Sequence, residues 1–261
     1  MTEPDQHQDE YHDAIVGMLE LIWGRGFMSP GGPENVRMTV RGLDLRDKLV
    51  LDIGSGIGGP ALVLAQEFGA RVIGLDLEEP LVRRSRTYAD EAGLTDRIEF
   101  RQVTPGPISL DDASIDVVFS SGAFAQAEDK LGMFRDIHRV LKPGGVFTCY
   151  DWMKGEEPYS EDMHYWFKLE DLTYALETLE AHGALLDEAG FEDIELADDQ
   201  QAYRNLCRGE YEQMQGPLKA RMIELLGHEQ QEHFLENWRA MVVVLDNGEL
   251  RPGFYRGAKP A

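Results

Sequence analysis

Leu49-Val50-Leu51-Asp52-Ile53-Gly54-Ser55-Gly56-Ile57-Gly58-Gly59-Pro60 is the stretch on which the reading of this chain turns. A short apolar strand runs into a glycine-rich turn, and an apolar helical pattern follows from Ala61. Glycine has no Cβ and tolerates unusual backbone angles, so such a turn lets a nucleotide approach the main chain. The helix start beyond it offers free N–H groups to a polar or anionic ligand. A second strand, Arg71-Val72-Ile73-Gly74-Leu75-Asp76, ends in a carboxylate 22 residues after Gly54. About 20 residues is the spacing at which an acid reaches a ribose hydroxyl pair. The stretch is therefore expected to hold an adenosine-containing cofactor.

Outward from that turn, strands and helices alternate. Strands are expected at 48–53, 71–76, 98–103, 115–120 and 145–151, with helices at 59–68, 79–92 and 129–141. Alternation of this kind predicts an α/β fold, a Rossmann-like doubly wound parallel sheet with helices on both faces. Before it, Ile15, Met18, Leu19 and Ile22 stand at helical spacing in 13–23. A Gly/Pro-rich loop covers 24–33, and a second helix is expected over about 34–42. Residues 1–44 thus read as an N-terminal helical segment and 45–261 as the main domain. Residues 153–180 interrupt the alternation after the fifth strand with an aromatic-rich insertion containing Tyr159, Tyr165, Trp166, Phe167 and Tyr174. A helix at 180–189, a strand at 192–196, helices at 201–226 and 229–245 and a final strand at 253–257 complete the expectation.

Composition bounds the partners. The 261 residues carry 25 Lys+Arg against 48 Asp+Glu, a net charge of −23. Nucleic-acid binders need basic faces to displace counterions, so no nucleic-acid partner is expected. The seven lysines and the acidity fit a salt-rich cytoplasm, where screening relieves self-repulsion, or ordinary bacterial acidity. No apolar run approaches the ~18 residues of a membrane span, and the polar start, Met1-Thr2-Glu3-Pro4-Asp5, does not read as a signal peptide. Two cysteines, Cys149 and Cys207, make no disulfide framework. Cytoplasmic localisation and a monomer or homodimer are expected. His7 and His12 flank Tyr11, but no metal cluster accompanies them, and no metal is expected.

Gly54-x-Gly56-x-x-Gly59 also satisfies the dinucleotide pattern, and an oxidoreductase remains an alternative. Asp52 argues against it: a carboxylate there suits a cationic amino-acid end better than a pyrophosphate. Ile115-Asp116-Val117-Val118-Phe119-Ser120 followed by His138-Arg139-Val140-Leu141-Lys142-Pro143-Gly144-Gly145-Val146-Phe147 resembles the S-adenosylmethionine-dependent class I methyltransferases. Tyr11, the helix end Ile22-Trp23-Gly24, and Phe27-Met28-Ser29-Pro30-Gly31-Gly32 resemble the phosphoethanolamine N-methyltransferases. They also resemble related domains acting on sarcosine, dimethylglycine or 5-thiohistidine.

The resemblance implies a cofactor site of Met28, Ser29, Asp52, Gly54, Ser55, Gly56, Asp76, Leu77, Val103, Thr104 and Ser120. S-adenosylmethionine would leave it as S-adenosylhomocysteine. It makes the N-terminal helix a lid, Tyr11 and Gln126 the catalytic candidates, and Phe27, Trp152, Tyr165 and Tyr174 the candidate walls of an acceptor pocket. The departures matter as much. Gly122 and Gln126 stand where the family places an aspartate and a histidine, and Leu172 and Met241 where it grips phosphate with arginine and lysine. Thr104, before Pro105-Gly106-Pro107, stands in place of the acid that holds the adenine amine. Ser120-Ser121-Gly122-Ala123-Phe124 lacks the clamp of nucleic-acid N-methyltransferases. The expected reaction is methylation of a small amine or imidazole nitrogen, not phosphoethanolamine; a non-catalytic cofactor-binding protein is the other alternative.

Overall fold

The computed structural model describes residues 6–155 and 158–261, with side chains from Asp13 onward. Seven strands form one sheet in the order β3-β2-β1-β4-β5-β7-β6. They are β1 (Leu49–Ile53), β2 (Arg71–Asp76), β3 (Ile98–Gln102), β4 (Ile115–Ser121), β5 (Leu141–Asp151), β6 (Glu192–Asp198) and β7 (Gly253–Ala258). The first five are parallel; β7 runs antiparallel to both β5 and β6. This is the Rossmann-like architecture expected from the strand–helix alternation.

The strands read as unbroken apolar runs because both sheet faces are covered. Successive side chains point to opposite faces. Val50, Val72, Val117 and Phe119 pack with α2 (Gly32–Thr39), α3 (Gly59–Phe68) and α4 (Glu79–Glu91). Leu51, Ile73, Val118 and Phe147 pack on the other face with α5 (Lys130–Val140) and α7 (Leu179–Glu188). Helix starts follow local chemistry: Asp129, Ser160 and Thr178 each accept a backbone N–H as N-caps.

Beyond the ends of β4 and β5 stand α1 (Gln6–Trp23), α6 (Glu161–Glu170), α8 (Gln200–Gln215) and α9 (Lys219–Asp246). Their shared core includes Met18, Trp166, Tyr203, Trp238 and Met241, together with Ala125 from the segment after β4. Two expected bounds change here, and the insertion gains a helix. The insertion after β5 contains a capped helix, α6. The helix expected at 201–226 stops at Gly216, because Pro217 excludes helical geometry from the residue before it. The rod that follows is interrupted at Gly227, whose φ of 78° lies outside the helical region, in the gap expected between 226 and 229. The strand expected from 145 begins instead at Leu141, and residues 142–145 bulge out, so that Leu141 pairs with Ile115 and Val146 with Val117.

Candidate functional site

The glycine turn is held from two sides. The N–H groups of Gly54 and Ser55 both donate to the Leu75 carbonyl, at 2.9 and 3.0 Å. The Gly56 N–H donates to Asp76 Oδ2 at 2.7 Å, and the Glu78 N–H to Asp76 Oδ1 at 3.0 Å. Asp76 thus braces both the turn and the start of α4, and each of its oxygens keeps capacity for a further hydrogen bond. Gly54 and Gly56 have φ of 73° and 52°. A Cβ on Gly54 would collide with Ala123, so the segment after β4 lies directly on the turn.

Asp52 is 1% exposed, and its Oδ2 finds no hydrogen-bond partner among the described residues. Burial, with the nearby Asp76 charge adding to it, pushes its carboxyl up to about 8. Ser55 Oγ is likewise buried and unpartnered. A buried acceptor and a buried hydroxyl left open beside a glycine turn fit a ligand that brings a cationic, hydrogen-donating group.

The other expected cofactor residues gather around this turn. A Cβ at Gly56 would stand 3.6 Å from Met28 Sδ, and one at Gly122 would stand 3.5 Å from Ser29 Cβ. Ser29 Oγ lies 3.4 Å from Ser121 Oγ at the end of β4. Leu77, immediately after Asp76, is 51% exposed, an apolar surface open beside the carboxylate. The Val103 N–H donates to the Asp76 carbonyl at 2.9 Å, while its side chain packs into the sheet core; Thr104 is exposed. Ser120 donates its hydroxyl proton to the Ile53 carbonyl, leaving it acceptor capacity alone. α1 lies against this region: Val16 packs with Ile57 of the turn and Leu81 of α4.

The acceptor candidates divide. Trp152 follows β5 and meets Trp166 at 5.4 Å, Tyr174 at 6.0 Å and Tyr203 at 6.4 Å between ring centroids. Trp166 and Tyr174 stack at 5.5 Å with 13° between planes. Tyr165 stands apart: it is 41% exposed and its hydroxyl donates to Glu236. One position along a helix is a 100° turn, so Tyr165 and Trp166 cannot share a face. Phe27 is 4% exposed, buried in the core under α3. Gln126 is exposed on the segment after β4. Tyr11 lies outside the residues whose side chains are described. Leu172 is 49% exposed, and Met241 is buried with its sulfur 3.5 Å from Tyr203 Oη.

Three polar residues of the site escaped the sequence reading. Asp151, 1% exposed, accepts from the N–H groups of Phe124 at 2.6 Å, Ala125 at 3.1 Å and Trp152 at 2.7 Å. It fixes the segment carrying Gly122 and Gln126 to the end of β5. Burial pushes its carboxyl up to about 6 against the pull of those N–H groups and of Lys130. Lys130 is itself buried and donates to the carbonyls of Ala127 and Ala175, and burial lowers its ammonium. Glu210 accepts from the indoles of Trp23 at 2.6 Å and Trp238 at 3.0 Å, joining α1, α8 and α9 at one buried carboxylate. A carboxylate closing an apolar strand was a readable signal for Asp151, since Asp76 sits the same way; Lys130 and Glu210 carried none.

Residues 51–149 match a family model described as a methyltransferase domain. Phosphoethanolamine N-methyltransferase 3 of Arabidopsis thaliana is 28% identical over 94% of this chain and 49% of its own length. The chain spans about half the length of the curated relatives it matches in this way. Among solved structures, Haemonchus contortus phosphoethanolamine N-methyltransferase 2, in complex with phosphomonomethylethanolamine and S-adenosylhomocysteine, superimposes with a TM-score of 0.89 at 24% identity. It covers 97% of this chain and 59% of that one. A Galdieria sulphuraria protein provisionally described as a sarcosine dimethylglycine methyltransferase gives 0.82 at 21% identity, over 95% and 98%. The match to a methyltransferase domain thus lies in residues 51–149, and the described chain has the fold of these methyltransferase structures.

Proposed function

We propose that this class I methyltransferase transfers a methyl group from S-adenosylmethionine to a small acceptor, at an amine or imidazole nitrogen. The observation that carries the reading is the pair of carboxylates at the glycine turn. Asp52 is buried with an open oxygen that suits a cationic amino-acid end, and Asp76 is placed at the second strand end for ribose hydroxyls. Leu77 offers an apolar face beside Asp76, and Met28 and Ser29 close the turn from the N-terminal side. Asp52, which ionises only beside a cation, gives a pyrophosphate no opposite charge to pair with, which disfavours the oxidoreductase alternative.

When bound, S-adenosylmethionine supplies a methyl group already activated by its sulfonium, so the protein's own task is alignment and exclusion of water. Positioning of this kind is worth roughly 7–11 kcal/mol. Asp151 holds the segment bearing Gly122 and Gln126. Trp152, Trp166 and Tyr174 supply a largely apolar wall in which a nitrogen nucleophile loses its water. We assign Tyr11 to take the proton of the attacking amine and Gln126 to orient it, with the N-terminal helix as cover. Among the described residues no helix is long and apolar enough to cross a membrane. The two buried, unpaired cysteines support a reducing cytoplasm.

The test is a titration of S-adenosylhomocysteine. Asp76→Ala should cut affinity more than tenfold, since hydrogen bonds to a charged group are worth about 1.5–3 kcal/mol. Its thermal transition should remain cooperative. Unchanged affinity would remove the cofactor assignment.

A further inference from the structure

Glu170 ends α6 in surroundings that a surface glutamate does not have. Its Oε2 accepts from Tyr174 Oη at 2.7 Å, and the Asn237 amide of α9 also bonds it. Burial nonetheless holds its carboxyl above the ordinary range. Among the described residues, the Oδ1 of Asn237, 4% exposed, and the indole N–H of Trp166, fully buried one turn before Glu170, have no hydrogen-bond partner. Three elements thus bring an oxygen-rich set together with open hydrogen-bonding capacity, which a folded interior rarely leaves without a ligand.

Packed rings connect this set to the sheet. Trp152 follows β5, and Tyr174 interacts electrostatically with both Asp151 at the strand end and Glu170 in the helical layer. Trp152, Trp166 and Tyr174 pack ring against ring between the two carboxylates, with Trp166 fully buried among them. Among the described residues, Lys130 and His233 are the basic groups placed against these carboxylates. Lys130 is committed to two carbonyls and faces Asp151. His233 is near enough to influence the Glu170 carboxylate electrostatically. Aromatic faces leading to a carboxylate attract cations, by cation–π interaction and by charge-assisted hydrogen bonding. The same arrangement repels phosphate.

We propose that Glu170 is the specificity-determining residue of the acceptor site. It holds an ammonium or guanidinium group of the acceptor at the end away from the attacking nitrogen, so that diamine-like acceptors bind and phosphorylated amines do not. This rests on the methyl-transfer reading above. It goes beyond that reading by requiring two nitrogen functions in the acceptor, one neutral and attacking, one charged and held.

The experiment titrates 1,3-diaminopropane and phosphoethanolamine, a pair of similar length, into protein saturated with S-adenosylhomocysteine. Wild type should bind the diamine at least tenfold more tightly than the phosphorylated amine. Glu170→Gln should lose at least tenfold toward the diamine with S-adenosylhomocysteine affinity unchanged. Glu170→Asp should keep the preference, and Glu170→Lys should reverse it. Phosphoethanolamine binding more tightly to wild type, no binding of the diamine, or a Glu170→Gln variant with unaltered diamine affinity would each overturn the proposal. Failure of S-adenosylhomocysteine to bind wild type would instead strike the methyl-transfer reading.

Discussion

Asp52→Asn separates the penalty this fold carries from the use the cofactor makes of it. The carboxyl is 1% exposed, one oxygen is unpartnered, and burial pushes it up to about 8. Below about pH 4 it is protonated in the folded and unfolded chain alike, and no penalty exists. As pH rises toward 8 the unfolded chain gives up the proton while the folded one keeps it, so stability falls, and the full penalty is present above 8. From the ordinary 3.8 to about 8, at 1.36 kcal/mol per pH unit, the ceiling is about 6 kcal/mol. Water entering an open cleft lowers this, and we expect about 2–4 kcal/mol near pH 7.5.

Asp52→Asn should therefore raise the melting temperature of the ligand-free protein by several degrees and flatten its pH dependence between 5 and 8. The variant should also bind S-adenosylhomocysteine at least tenfold more weakly. In wild type, a cationic ligand end ionises Asp52, so binding at pH 7 should release nearly one proton. Calorimetry in two buffers of different ionisation enthalpy reads that proton directly. A variant with wild-type affinity and the same buffer-dependent heat would refute the assignment of Asp52 to the ligand's cationic end.

Asp151→Asn should lower kcat for the acceptor at least tenfold while leaving S-adenosylhomocysteine affinity within twofold, because the amide supports the Phe124–Ala125 turn with one oxygen and no charge. The wild-type rate should fall as pH drops through about 6, where Asp151 takes up a proton, and this acid limb should be missing in the variant; a pH–rate comparison decides it. Glu210→Ala should destabilise the protein by about 2–4 kcal/mol, by leaving two buried indole N–H groups without an acceptor, and Glu210→Gln by less. Urea unfolding would expose the error if the alanine variant lost under 0.5 kcal/mol.

What was legible in the sequence was what the backbone decides locally. Asp52, Gly54, Gly56 and Asp76 stand on one strand–turn–helix unit and the next strand end, so spacing alone brings them together. The strand–helix alternation gave the parallel sheet for the same reason. Side-chain direction on a helix was less accessible: Tyr165 and Trp166 are neighbours in sequence, yet one is exposed and the other fully buried. Phe27 reads as a pocket aromatic only until α3 is seen to cover it. Least legible were Glu170 and Asn237, or Glu210 with Trp23 and Trp238, because these pairings depend on how α1, α6, α8 and α9 cross. Gly216-Pro217 was a readable break inside an expected helix, outweighed there by apolar periodicity.

The place of β7 between β5 and β6 has a consequence for how such a protein can change. α8 and α9 leave the sheet at Asp198 and return to it at Gly253, and these two residues are paired with each other. The Asp199 N–H closes the same point on the Pro252 carbonyl. The excursion therefore begins and ends at one address, like a drawer with a single runner. Helices there can lengthen, shorten or exchange side chains without shifting the register of any strand that shapes the glycine turn. Asp52 and Asp76 belong to β1 and β2, strands that precede the excursion and lie on the far side of the sheet from β7. Selection for a new acceptor can act on α8 and α9 while the cofactor half stays as it is.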